Sequence, residues 1–191
     1  MQNRPKNRKQ QIIALGLDFL QTHGYENFSY QDISRELGIT KASIHHHFPK
    51  KSDLGIALCE AIEEWHEHQF SELRHNQASA LETLRSYMGQ LATYVVGESR
   101  VCPLSSLQSD ITLLPETMYQ AIKRLDQHEI DFIAEQLEQG REAGDLHFQG
   151  EAENQALIVV LSCKGALQYA RIHGDKVFSD TVKQLLSSMK Q

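Results

Sequence analysis

Apolar residues recur at intervals of three and four along nearly the whole chain, and no stretch alternates apolar and polar positions over the length of a strand. The spacing predicts an all-α protein. Ile12, Leu15, Gly16, Phe19 and Leu20 fall on one face of a first helix, which His23-Gly24-Tyr25 ends. Ile33 and Leu37 mark a second helix beginning at Ser29, and a short third one spans 41–47, with Ile44 inward and Phe48 closing its corner. Leu54, Leu58, Ile62, Trp65, Gln69 and Leu73 carry a fourth. Leu81, Leu84, Met88, Leu91 and Val95 carry a fifth, which Gly97 ends. A short segment, 102–114, is bracketed by Pro103 and Pro115. A long helix then runs over 116–143 with Met118, Ile122, Leu125, Phe132, Ile133 and Leu137 inward and Gly144 as its cap. Residues 156–172 are apolar nearly all round, so that helix must be covered on more than one face.

The most specific chemistry sits in 29–54. Ser29 is placed to cap the second helix, with Asp32 where negative charge favours a helix start. Gly38 supplies a sharp turn, Ile39 plugs the angle between the helices, and Thr40 caps the third. Lys41, Ala42, Ser43, His45 and His46 are left facing outward on a helix of about two turns, a size and polarity that suit a DNA major groove. A helix-turn-helix is the predicted unit. The alternative is a merely structural pair of helices. The run His45-His46-His47 does not predict a metal site, because successive residues on a helix point about 100° apart and their imidazoles cannot converge on one ion.

Charge separates the two ends. The chain as a whole carries 19 basic and 25 acidic residues, a net charge of −6. Residues 1–52 hold eight basic side chains (Arg4, Lys6, Arg8, Lys9, Arg35, Lys41, Lys50 and Lys51) against four acidic ones, whereas the remainder is strongly acidic. A basic head on an acidic body confines phosphate affinity to one end.

Residues 8–60, from Ile12 through the Phe48-Pro-Lys-Lys-Ser-Asp-Leu54 run, resemble the TetR family of bacterial transcriptional regulators, including its Phe-x-x-Lys-x-x-Leu opening of the fourth helix. The family often has Tyr where this chain has His45. The resemblance implies a helix-turn-helix DNA-binding domain at 1–52 and a helical ligand-binding and dimerisation domain at 53–191. It places Ser29, Tyr30, Thr40, Lys41, Ala42, Ser43, His45, His46, His47 and Lys51 at the DNA. It also implies a homodimer on a palindromic operator, with recognition helices about 34 Å apart. Repression is the commoner sign in the family, and a small-molecule inducer would shift the dimer between two states.

In the larger domain, Tyr87, Met88, Leu91, Tyr94, Leu107, Leu114, Met118 and Ile122 are the expected lining of an apolar inducer pocket. Val101-Cys-Pro-Leu-Ser-Ser-Leu resembles a segment in a subset of the family with a cysteine at the start of the sixth helix, where some members sense electrophiles or oxidants. Cys102 is thus both a pocket candidate and the basis of an alternative, thiol-based regulation. Ser162, Ala166 and Ala170, with Gly165 beside them, form a small-residue row that lets a neighbouring helix approach closely. With Leu125 and Phe132 they are the expected dimer interface, in the family's four-helix arrangement built from 116–143 and 155–172.

No run of 18 apolar residues is present, the N-terminus lacks the apolar core of a signal peptide, and three scattered cysteines suggest no disulfide framework, so a cytoplasmic protein is expected. No cofactor is expected. An all-α enzyme, or a ligand-binding protein that does not touch DNA, is the remote alternative. No Ser/His/Asp order, paired carboxylates in an apolar setting or glycine-rich phosphate loop supports catalysis.

Overall fold

The computed structural model describes residues 7–76, 79–94 and 100–190. Its helices are α1 (Arg8–His23), α2 (Tyr30–Leu37), α3 (Lys41–His47), α4 (Lys51–Asn76), α5 (Ala80–Leu91), α6 (Pro103–Ser109), α7 (Glu116–Glu142), α8 (Ala152–His173) and α9 (Lys176–Ser188). The described residues contain no strand, and no helix among them is long and apolar enough to cross a membrane. Val95 and Gly97, expected to finish the fifth helix, lie outside the described residues, as do Arg4, Lys6 and the side chain of Tyr94. The periodicity places no element after Ile172, yet α9 follows there and is the helix against which α8 packs most extensively.

Two compact units emerge, residues 1–64 with 103–125, and residues 65–102 with 126–191. This division differs from a boundary after residue 52. In the first unit α6 packs on α1, where Ser106 Oγ donates to the Leu20 carbonyl at 2.7 Å and Asp110 accepts from the Glu26 N–H at 3.2 Å. These bonds fasten a segment distant in sequence to the N-terminal helices.

Within the first unit Ile12, Gly16 and Leu20 are the fully buried stripe of α1, while Leu15 and Phe19 are half-buried. Gly16 faces Leu58 of α4. Gly55 matters for the same reason one turn earlier: a methyl group there would run into Met118 and the Tyr25 hydroxyl. The missing Cβ leaves room for the Met118 thioether and the Tyr25 hydroxyl against α4.

The second unit is built around stacked aromatics. The rings of Phe70 and Phe132 are parallel at 4.1 Å, with Tyr87, His66 and His128 around them. A charged group lies in this core. Glu129, 3 % exposed, accepts from the Tyr87 hydroxyl at 2.7 Å through Oε1, while Lys164 Nζ approaches Oε2 at 2.9 Å and Asp126 at 3.3 Å. The Lys164–Glu129 contact neutralises Oε2 as an ion pair, off the line of a good hydrogen bond. Burial, the largest single effect, pushes the Lys164 pKa down, but Glu129, Cys102 and Asp126 together more than reverse it, so the ammonium is held above its ordinary value.

The helix that is apolar all round resolves into two faces. Ala156, Val159, Val160, Cys163, Ala166, Leu167 and Ala170 are buried, whereas Ile158 (52 % exposed), Leu161 (60 %), Tyr169 (64 %) and Ile172 (82 %) look outward. The small-residue row is corrected accordingly. Ala166 and Ala170 are covered within the chain, Ser162 is half-buried, and of the expected set only Gly165 lies on the outer face. Leu125 and Phe132 are likewise buried in their own chain, Phe132 by its stack on Phe70. The outward stripe is made of large residues, because the small ones serve close packing inside the subunit.

Candidate nucleic-acid interface

The α2–α3 pair is held by local bonds that its sequence prescribes. The Ser29 N–H and hydroxyl both donate to Asp32 Oδ2, at 2.9 and 2.7 Å, and these bonds lower the Asp32 pKa. Gly38 takes the left-handed conformation, φ 63° and ψ 35°, that closes α2. Thr40 Oγ1 accepts from the Ser43 N–H at 3.2 Å and so starts α3. Ile33, Ile44 and Phe48 are buried beneath the pair.

With Ile44 anchored inward, the rest of α3 is turned to solvent. Lys41, Ala42, His45 and His46 are exposed, as is Thr40 before them, while Ser43 and His47 are half-buried. The His46 and His47 rings meet edge to face at 5.2 Å. His45 is held more firmly: its ring packs edge to face on Tyr30, 4.9 Å between centroids, and its Nδ1 lies 3.2 Å from the Pro49 carbonyl.

Two expected DNA-facing residues are instead committed to the protein. Tyr30 is buried, and its hydroxyl donates to the carbonyls of Phe48 and Lys50, at 2.9 and 2.7 Å, across the corner between α3 and α4. Burial, with a smaller contribution from Asp53, pushes its pKa up to about 12. Lys51 folds back so that its ammonium lies over the rings of Tyr25 (4.6 Å) and Phe28 (5.0 Å), and burial lowers its pKa. The exposed cations beside α3 are Lys50, which follows it, and Lys9, whose ammonium stands over the Phe48 ring at 5.8 Å. Both belong to the basic head of the sequence. Nothing in their spacing singles them out, because the corner at Phe48 and the packing of α1 place them.

The expected inducer-pocket residues divide between the two units. In the second, Tyr87 spends its hydroxyl on Glu129, Met88 and Leu91 are buried, and Cys102 is 8 % exposed. In the first, Leu107, Met118 and Ile122 are buried, with Met118 seated on Gly55, and Leu114 is half-buried. A cavity of about 120 Å³ lies elsewhere, in the first unit, between Phe19, His23, Asn27, Phe28, Asp32 and Arg35. Cys59, Cys102 and Cys163 form no disulfide.

Residues 12–58 match the sequence model described as "Bacterial regulatory proteins, tetR family". A TetR-family transcriptional regulator from Agrobacterium tumefaciens is 32 % identical in sequence and superposes with a TM-score of 0.91, over 96 % of this chain and 97 % of that one. A TetR transcriptional regulator from Legionella pneumophila is 26 % identical, with a TM-score of 0.87 over 97 % of this chain and 98 % of that one. The HTH-type transcriptional repressor NemR of Escherichia coli (strain K12) is 22 % identical over 167 residues, 86 % of this chain and 84 % of NemR. With its capped helix-turn-helix and full-length likeness to these regulators, the chain belongs to the TetR family of DNA-binding transcriptional regulators.

Proposed function

We propose that this regulator is a repressor that reads a two-fold symmetric operator as a homodimer and releases it when a small molecule binds the larger unit. The observation that carries the DNA reading is the outward face of α3, where Lys41, Ala42, His45 and His46 are exposed. Seven residues make a rod about 10 Å long, which fits a major groove about 12 Å wide. The outer stripe of α8 supports the dimer. Leu157, Ile158, Leu161, Tyr169 and Ile172 line one side of that helix, a contiguous apolar face of the kind that a second subunit covers.

Helix α4 contributes Lys51–Glu64 to the first unit and its remaining residues to the second, so one continuous helix runs from the DNA-binding head into the body. A ligand can alter operator affinity only through its different affinities for the two arrangements of the dimer. Selection of bound sequences from a random DNA pool tests the reading. An enriched palindrome, lost when Lys41 and His45 are both changed to Ala while dimerisation persists, supports it; failure to enrich any sequence at low salt under reducing conditions opposes it.

A second reading makes the small molecule a reactive one. Cys102 stands directly before α6, close enough to Lys164 for the two groups to interact electrostatically. On this reading a thiol-alkylating reagent releases wild-type protein from DNA but leaves Cys102→Ser bound. Equal release of both would remove it.

A further inference from the structure

The contact between His45 and Pro49 fixes more than the ring's position. A carbonyl oxygen can only accept, so the bond from Nδ1 to the Pro49 carbonyl requires the hydrogen to be on Nδ1. In the neutral imidazole the other nitrogen, Nε2, is then a bare acceptor. His45 is exposed and belongs to the last turn of α3. In a helix-turn-helix the N-terminal residues of the recognition helix take the base edges, which leaves its C-terminal turn to the sugar-phosphate backbone. Phosphate oxygens are acceptors and carry negative charge. A neutral His45 therefore turns a lone pair toward them, whereas its imidazolium offers both an N–H and a positive charge.

From this geometry we infer that His45 meets the operator phosphate only as the imidazolium, so that each recognition helix takes up one proton when it docks. The inference rests on the DNA-binding reading above. The surroundings leave the phosphate as the partner that recruits this proton. From α2, Tyr30 presents its ring to His45 and spends its hydroxyl on the Phe48 and Lys50 carbonyls. From α4, the Asp53 carboxylate is occupied by the Lys50 N–H at 2.8 Å. The exposed side chains of Lys41 and His46 on α3, Lys50 on the corner and Lys9 on α1 are basic.

Linkage sets the sign. A contact that only the imidazolium makes is present in full at low pH and is lost as pH rises. Across that window the affinity should fall up to tenfold per pH unit for each recognition helix, because one proton is taken up per helix.

The test is fluorescence anisotropy of full-length protein on a duplex selected at pH 6.0, from pH 5.5 to 8.5 at constant ionic strength. His45→Gln is the decisive variant, since the glutamine amide places an uncharged N–H donor near the position of Nε2 at every pH. His68→Gln, at an exposed histidine of the second unit, is the control. The expected result is a steep slope for wild type and His68→Gln and a slope shallower by one proton per helix for His45→Gln. Equal slopes for all three, or a flat wild-type profile, overturn the inference. If His45→Gln does not bind, nitrogen NMR of wild type decides: a His45 imidazole that titrates at higher pH in the complex than in the free protein supports it, and an unshifted one overturns it. Absence of DNA binding by wild type at every pH removes the DNA-binding reading itself and the inference with it.

Discussion

Lys164 Nζ stands 2.9 Å from Glu129 Oε2 inside a helical core, with the lysine side chain 13 % exposed and the glutamate 4 %. A pair so placed is costly to assemble and costlier to break, because removal of one partner strands the other in a medium that solvates charge poorly.

Lys164→Met should therefore destabilise the protein by about 3 to 5 kcal/mol, and the double variant with Glu129→Gln should recover much of that loss. Urea unfolding of the four proteins of this cycle measures the coupling. The lysine's pKa is raised in the folded state, so its contribution is full below the ordinary lysine value of about 10.4 and disappears as pH rises through the higher folded value. Wild type should accordingly lose stability in strongly alkaline solution more steeply than the double variant.

The imidazole of His66 predicts the opposite limb. It is 6 % exposed, stacks on Phe70, and burial holds its pKa below the usual histidine value, with Glu129 opposing more weakly. A base with a depressed folded pKa contributes stability in full above its unfolded value of about 6.5, and loses it as pH falls from there through the folded value. His66→Phe keeps an aromatic ring against Phe70 and has nothing to protonate. Its unfolding free energy should change less between pH 7.5 and 5.5 than that of wild type, as measured by denaturant titration at both pH values.

Tyr30→Phe deletes only the hydroxyl that holds the Phe48 and Lys50 carbonyls. A loss of about 1 to 3 kcal/mol is expected because the buried Phe48 carbonyl loses this donor, while the Lys50 carbonyl keeps the Asp53 N–H. DNA affinity should fall with it, because that corner sets where α3 ends and α4 begins. Thermal unfolding and DNA titration of the same preparation report the two effects; intact stability with intact binding would refute the structural role given to this hydroxyl.

Leu161→Glu places a charge in the middle of the outer stripe of α8, where the wild-type side chain is 60 % exposed in the single chain. The fold should keep its helicity by circular dichroism, while light scattering coupled to gel filtration should show at least a tenfold loss of self-association. The same substitution should weaken operator binding, since two linked heads bind with an effective concentration that one lacks. A variant that self-associates like wild type would place the subunit contact elsewhere.

Local rules determined much of this protein from the sequence alone. Gly38 at φ 63°, Thr40 on the Ser43 N–H and the inward Ile44 were legible because caps, turns and helical periodicity act over three or four residues. The all-helical class and the basic head were legible for similar reasons, one being periodicity and the other a sum over charges. Tertiary structure decided what those rules do not reach. Tyr30 and Lys51 have the polarity of DNA contacts but turn inward, one onto backbone carbonyls and the other onto aromatic faces. The small residues Ala166 and Ala170 pack within the subunit, leaving Leu161, Tyr169 and Ile172 on the outside, because a helix apolar all round carries no mark of which face its own chain will cover. The Glu129–Lys164 pair likewise arises where separate segments meet, and one-dimensional spacing does not encode such meetings.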